Sequence, residues 1–125
     1  SFDVNQPVFY AELYLDAIYK LAFKPITYVE PSKFPAVKRD LALLIDKQVT
    51  YSELEKLAFE TERNFLKEVS LFDVYEGDKI PSDKKSYALS FTLQNDEATL
   101  TDNQITNATN KLIKVFEEKL NASIR

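Results

Sequence analysis

The chain contains no cysteine, no histidine, no methionine and no tryptophan, and its 125 residues include a single glycine. Without cysteine there are no disulfides, no thiolate nucleophile and no metal-chaperone chemistry. Without histidine the commonest general base is gone, and the two absences together remove the usual zinc ligand sets. A chain without methionine that opens on Ser1 is expected to be a piece from the middle or end of a longer protein. No stretch has the form of a signal peptide or a membrane span, so a cytoplasmic location without a membrane partner is the expectation. Positive charge is scarce too: 16 Lys and Arg against 20 Asp and Glu give a net charge of -4 and a pI near 4.9. Phosphate backbones bind clustered cations, so this balance argues mildly against a nucleic-acid partner, DNA included.

What is present can fold. With 45% hydrophobic and 13% aromatic residues the chain can fill a core, which argues against disorder. Its length suits one domain, or one small domain with an appendage. The few cations are grouped: Lys33, Lys38 and Arg39 crowd one arm, Lys84 and Lys85 stand together, and Arg125 closes the chain. The acids concentrate on helical stretches (Glu53, Glu55, Glu60, Glu62, Glu117, Glu118) and read as solvated helix faces.

A boundary falls between Lys24 and Pro35, where Pro25, Pro31 and Pro35 cluster as in an extended linker. Before it, Pro7 to Phe23 reads as a strand running into a short helix. Residues 1–30 are too few to fold alone and resemble the tail of a preceding module; residues 31–125 form the domain. There RDLALLI alternates as a strand, and TYSELEKLAFE is a helix opened by a capping box at Thr50 and Glu53. FLKEVSLFDVYE and SYALSFTLQ read as two further strands. Thr101 and Gln104 cap a second helix, along which Ile105, Ala108, Leu112, Val115, Phe116 and Leu120 recur at helical spacing. ASIR is a last short strand. The order β-α-β-β-α-β predicts an α+β, ferredoxin-like fold: a four-stranded antiparallel sheet with two helices on one face.

Helices on one face leave the other face open. Strand alternation sends Leu41, Leu43 and Ile45, Phe72 and Val74, and Tyr87, Leu89, Phe91 and Leu93 toward the helices. It leaves Ala42, Asp73, Tyr75, Ser86, Ala88, Ser90 and Thr92 on the open face, with Arg125 from the last strand. Small side chains there leave room for a flat ligand, Tyr75 offers a ring to stack on, and Asp73 and Ser86 offer an acceptor and a hydroxyl to a base edge. Arg125 can pair with a phosphate or a base. The alternative is an ordinary solvated sheet face.

FPAVKRDLALLID, LFDVYEG, KKSYALSFTLQ and TLTDNQI resemble, in order and spacing, the C-terminal ferredoxin-fold anticodon-binding domain of the β subunit of bacterial phenylalanyl-tRNA synthetase. The resemblance runs from about Tyr28 to Arg125, and QPVFYAELYLDAI is similar to the segment that closes the family's preceding catalytic-like module. It implies a non-catalytic module that holds the anticodon stem-loop of the phenylalanine tRNA. Catalysis, with ATP and Mg2+, would belong to a separate α subunit in a tetramer of two α and two β chains, and this piece would carry no cofactor itself. Contacts to the anticodon would come from Ala42, Asp73, Tyr75, Ser86 and Arg125. Lys33, Lys38, Lys84 and Lys85 are candidates for phosphate contacts, or else plain surface lysines. The same domain in a single-chain organellar enzyme is one alternative. A ferredoxin-like regulatory domain for small molecules is another, but such domains expose a glycine-bearing strand–helix turn, whereas Gly77 lies between the second and third strands. An acylphosphatase-like enzyme needs a glycine- and arginine-bearing loop where this chain has DKQVTYS. An RNA-recognition motif needs aromatic residues where it has Ala42, Ser86 and Ala88.

Overall fold

The computed structural model describes residues 3–21 and 23–125. The chain divides into two compact units, Ser1–Glu30 and Pro31–Arg125. In the first, a single helix of five residues, α1 (Leu15–Tyr19), starts at Tyr14 without a side-chain cap. So short a helix is not stable by propensity alone. Among the described residues of its unit none is buried to support it: Phe9 is 98% exposed and Tyr10 83%. The strand expected at the start of Pro7–Phe23 is not formed over residues 7–14, which lack the ladder partner a strand requires. Ala22, in the same stretch, lies outside the described residues.

The second unit carries β1 (Val37–Asp46), α2 (Tyr51–Thr61), β2 (Leu66–Tyr75), β3 (Lys84–Leu93), α3 (Asp102–Leu120) and β4 (Ser123–Ile124). The sheet order is β2-β3-β1-β4, with every neighbouring pair antiparallel. This is the ferredoxin-like α+β arrangement. Each long helix begins at a threonine whose hydroxyl accepts from the backbone three residues on, while Glu53 or Gln104 reaches back to the threonine N–H. Those reciprocal bonds satisfy the orphan donors of the first turn, which is why both helices start where they do.

One core joins the layers. Leu43, Ile45, Leu66, Val69, Leu89, Phe91 and Leu93 from the strands meet Leu54, Leu57, Ala58, Ile105, Ala108, Leu112 and Phe116 from the helices. The rings of Phe91 and Phe116 lie 6.0 Å apart at its centre. Tyr51 fastens α2 to β2 by donating to the Val69 carbonyl at 2.8 Å, and burial followed by the nearby Glu55 raises its pKa. The end of α3 matters for the open face. Asn121 takes the left-handed conformation (φ 49°), which asparagine tolerates better than most residues. The chain reverses there, Ala122 N–H bonds back to the Phe116 carbonyl, and β4 comes alongside β1.

Candidate nucleic-acid interface

Residues opposite each other in an antiparallel ladder point to the same face. Asp73 pairs with Ala88 and Tyr75 with Ser86, while on the far side of β3 Ala88 pairs with Ala42 and Ser86 with Leu44. Arg125 donates its backbone N–H to the Ala42 carbonyl at 2.9 Å, which brings the last residue level with the same row. Ala42, Asp73, Tyr75, Ser86 and Arg125 therefore occupy two adjacent rows on the face away from the helices.

The presence of Asp73 and Tyr75 there depends on a β-bulge. Leu71 pairs with Leu89 and Asp73 with the next residue, Ala88, so Phe72 is an extra residue in the ladder. Without it, simple alternation from Val69 and Leu71 would turn Asp73 and Tyr75 toward the helices. Bulges re-aim side chains in this way and are frequent at sites. The same bulge corrects the expected core. Phe72, expected to point inward, is the extra residue of the bulge and is 60% exposed. Val74 does lie on the helix side, opposite Tyr87, but is 49% exposed, since the core positions of β2 are Leu66, Val69 and Leu71, all N-terminal to the bulge.

Strands lie about 4.8 Å apart, so β2 and β4 are separated by roughly 14 Å across the sheet. Yet the Arg125 guanidinium carbon stands 5.0 Å from the centre of the Tyr75 ring. Two long side chains bridge the sheet by lying over the small residues between them, a cation–π geometry. Ala42, Ser86 and Ala88 form the floor; a bulky residue at any of them would obstruct that reach. Ser86 is only 4% exposed. Leu44, half-buried beside Ser86, is a further open-face residue, on the side of β1 that alternation gives to Ala42.

The four lysines separate. Lys38, opposite Thr92, is exposed on the open face, and Lys33 is exposed on the arm before β1. Lys84 is on the open side but half-buried, with its ammonium 3.9 Å from Asp46. Lys85 does not join them. It pairs with the core residue Ile45 and is 8% exposed, with its ammonium 4.5 Å from the centre of the Tyr87 ring, so alternation puts it on the helix face. Two adjacent lysines on a strand cannot both serve one face.

Gly77 is a neighbour of the site that sequence reasoning passed over. A Cβ on Gly77 would come within 2.6 Å of the Tyr75 hydroxyl oxygen and 2.8 Å of Cζ. The glycine directly after the LFDVYE stretch is the signal that was available. A cavity of about 520 Å3 opens beside it, lined in part by Lys47, Glu76, Gly77 and Lys84. Among the described residues no group of three or more Asp and Glu side chains could hold a metal ion, and no helix is long and apolar enough to cross a membrane.

The family model described as "Ferredoxin-fold anticodon binding domain" matches residues 32–125, and the chain belongs to that family. It is similar over its full length to the phenylalanine–tRNA ligase β subunit of Bacteroides fragilis, at 52% identity and covering 15% of that protein. It is 37% identical to the corresponding subunit of Clostridium tetani, again over the whole chain and 16% of the relative. With that of Bacillus subtilis it shares 41% identity over 91% of the chain and 14% of the relative. The chain thus spans about one seventh of the length of these relatives.

Proposed function

We propose that this chain is the anticodon-binding part of a phenylalanine–tRNA ligase β subunit, and that it holds the anticodon stem-loop of the phenylalanine tRNA on its open sheet face. The observation that carries this reading is the Tyr75–Arg125 bridge over a floor of Ala42, Ser86 and Ala88. A ring and a guanidinium are both flat surfaces on which a splayed base can stack, and stacking is how single-stranded RNA loops are most often held. Asp73 offers a carboxylate to a base edge one row away, and Ser86 a hydroxyl once the covering side chains shift. Ala42 contributes absence of bulk, while Lys33, Lys38 and Arg125 serve the phosphates, with Lys84, paired to Asp46, at the margin.

The chain's own residues bind and orient; they carry out no chemical step. Aminoacylation, with ATP and Mg2+, belongs in this reading to an α subunit, in a cytoplasmic tetramer of two α and two β chains. Residues 1–30 are the tail of the preceding module and a linker. The strongly exposed Phe9, Tyr10 and Ile26 fit such a tail, since apolar side chains of this size are normally covered.

Titration of the chain with the anticodon stem-loop of the phenylalanine tRNA, beside a stem-loop with a changed anticodon, tests the proposal. The cognate loop is expected to bind more tightly, and Tyr75→Ala to weaken it about 5- to 150-fold, the usual worth of one base–aromatic stack. Equal binding of both loops, or unchanged affinity in Tyr75→Ala and Arg125→Ala, would refute the site.

A further inference from the structure

We infer that Gly77, which need not touch RNA itself, is the positioning residue for Tyr75; the inference rests on the RNA-binding reading of the open face. Gly77 is the chain's only glycine, so its use is informative. It is not there for a left-handed backbone, because no glycine in the structure has a positive φ. An alanine could therefore adopt the same backbone without strain. What an alanine could not do is coexist with Tyr75 as it stands, since the added Cβ would lie 2.6 Å from the hydroxyl oxygen, 2.8 Å from Cζ and 3.3 Å from Cε2.

All three of those atoms belong to the outer end of one side chain. The contact would be relieved by swinging the Tyr75 ring, not by moving the sheet. Gly77 thus leaves open the place where the ring lies: its hydroxyl end tucks against the turn after β2, and Arg125 stands over the ring. A ring seated in this way, under Arg125, is ready to receive a base. A ring displaced by a methyl group must be re-ordered when the base arrives, and ordering a side chain on binding lowers affinity.

The test is Gly77→Ala in the 125-residue chain, with three readouts. In the free chain, Arg125 side-chain protons near the Tyr75 ring are shifted by the ring current, and Gly77→Ala is expected to diminish that shift while the Tm stays at the wild-type value. Affinity for the anticodon stem-loop of the phenylalanine tRNA is expected to fall about 3- to 10-fold, the cost of ordering one side chain. In a Tyr75→Ala background the same substitution is expected to change nothing further. Tyr75→Phe, which removes the atom a Cβ would meet first, is expected to recover part of the loss. An unchanged ring-current shift overturns the positioning role, and so does an equal loss of affinity with and without the Tyr75 ring. A diminished shift together with full-strength RNA binding by Tyr75→Ala leaves the positioning standing and overturns the RNA reading beneath it.

Discussion

Raising the salt concentration separates stacking from charge at this face. An RNA-binding protein loses affinity with salt in proportion to the phosphates it neutralises. The open face offers few cations for that purpose. Lys33, Lys38 and Arg125 make no ion pair among the described residues, whereas the Lys84 ammonium stands 3.9 Å from Asp46 and Lys47 pairs with Glu76 at 3.7 Å. Lys85 is on the other face. Three phosphate contacts give a slope of log K against log salt of about -2 to -3, so a fourfold rise in salt should weaken binding about 15- to 65-fold. Titration of the cognate stem-loop by fluorescence anisotropy at several salt concentrations measures the slope. Lys38→Ala is expected to flatten it by about one unit. Tyr75→Ala should lower affinity by about 1–3 kcal/mol at every salt concentration and leave the slope alone. A slope of about -5 or steeper would require about twice as many phosphate contacts as the face provides and would refute a stacking-led interface. A slope near zero would refute the contacts assigned to Lys33, Lys38 and Arg125.

Other substitutions test the frame that carries the face. Glu62 is 5% exposed at the end of α2 and accepts from the backbone N–H groups of Asn64 and Phe65 at 3.2 and 3.3 Å. Glu62→Ala strands both donors, and urea unfolding should show a loss of about 2–4 kcal/mol. Lys85→Ala is expected to cost about 1–2 kcal/mol through its lost contact with Tyr87 and to leave stem-loop affinity unchanged; a loss of affinity would mean that this lysine reaches RNA after all. The pKa of Glu53 lies below its ordinary value of 4.5, chiefly because the Thr50 N–H donates to the carboxylate. A depressed folded-state pKa adds stability that is complete above the ordinary value and disappears as pH falls through the folded one. The stability gap between wild type and Glu53→Gln should therefore be full at neutral pH and close below 4.5; a gap that widened on acidification would contradict the capping geometry.

Much of the fold was legible because local signals agreed. Both capping boxes, the helical spacing from Ile105 to Leu120 and the alternation around Leu43 each named their element, and the order of elements left few topologies. The open-face rows of β1 and β3 followed from alternation alone. On β2 alternation assigned Asp73, Val74 and Tyr75 to the correct faces but overstated the burial of Phe72 and Val74, because a bulge at Phe72 adds a residue that no local pattern announces. Lys85 was misjudged for the opposite reason. Grouping it with Lys84 by charge ignored the period of two that separates neighbours on a strand. The contact between Arg125 and Tyr75 joins residues far apart in sequence across the width of the sheet, and Gly77's approach to Tyr75 depends on a turn conformation. Neither leaves a periodic trace.

Mapping the stem-loop onto the chain by amide chemical-shift perturbation tests the assignment of the open face most directly. Titration of the 125-residue chain with the anticodon stem-loop of the phenylalanine tRNA should move the signals of Ala42, Asp73, Tyr75, Ser86 and Arg125 together, with Lys38 following. Signals from the exposed faces of α2 and α3 should stay in place. Shifts concentrated on those helices, or spread evenly without reaching Tyr75 and Arg125, would contradict the open sheet face as the RNA site.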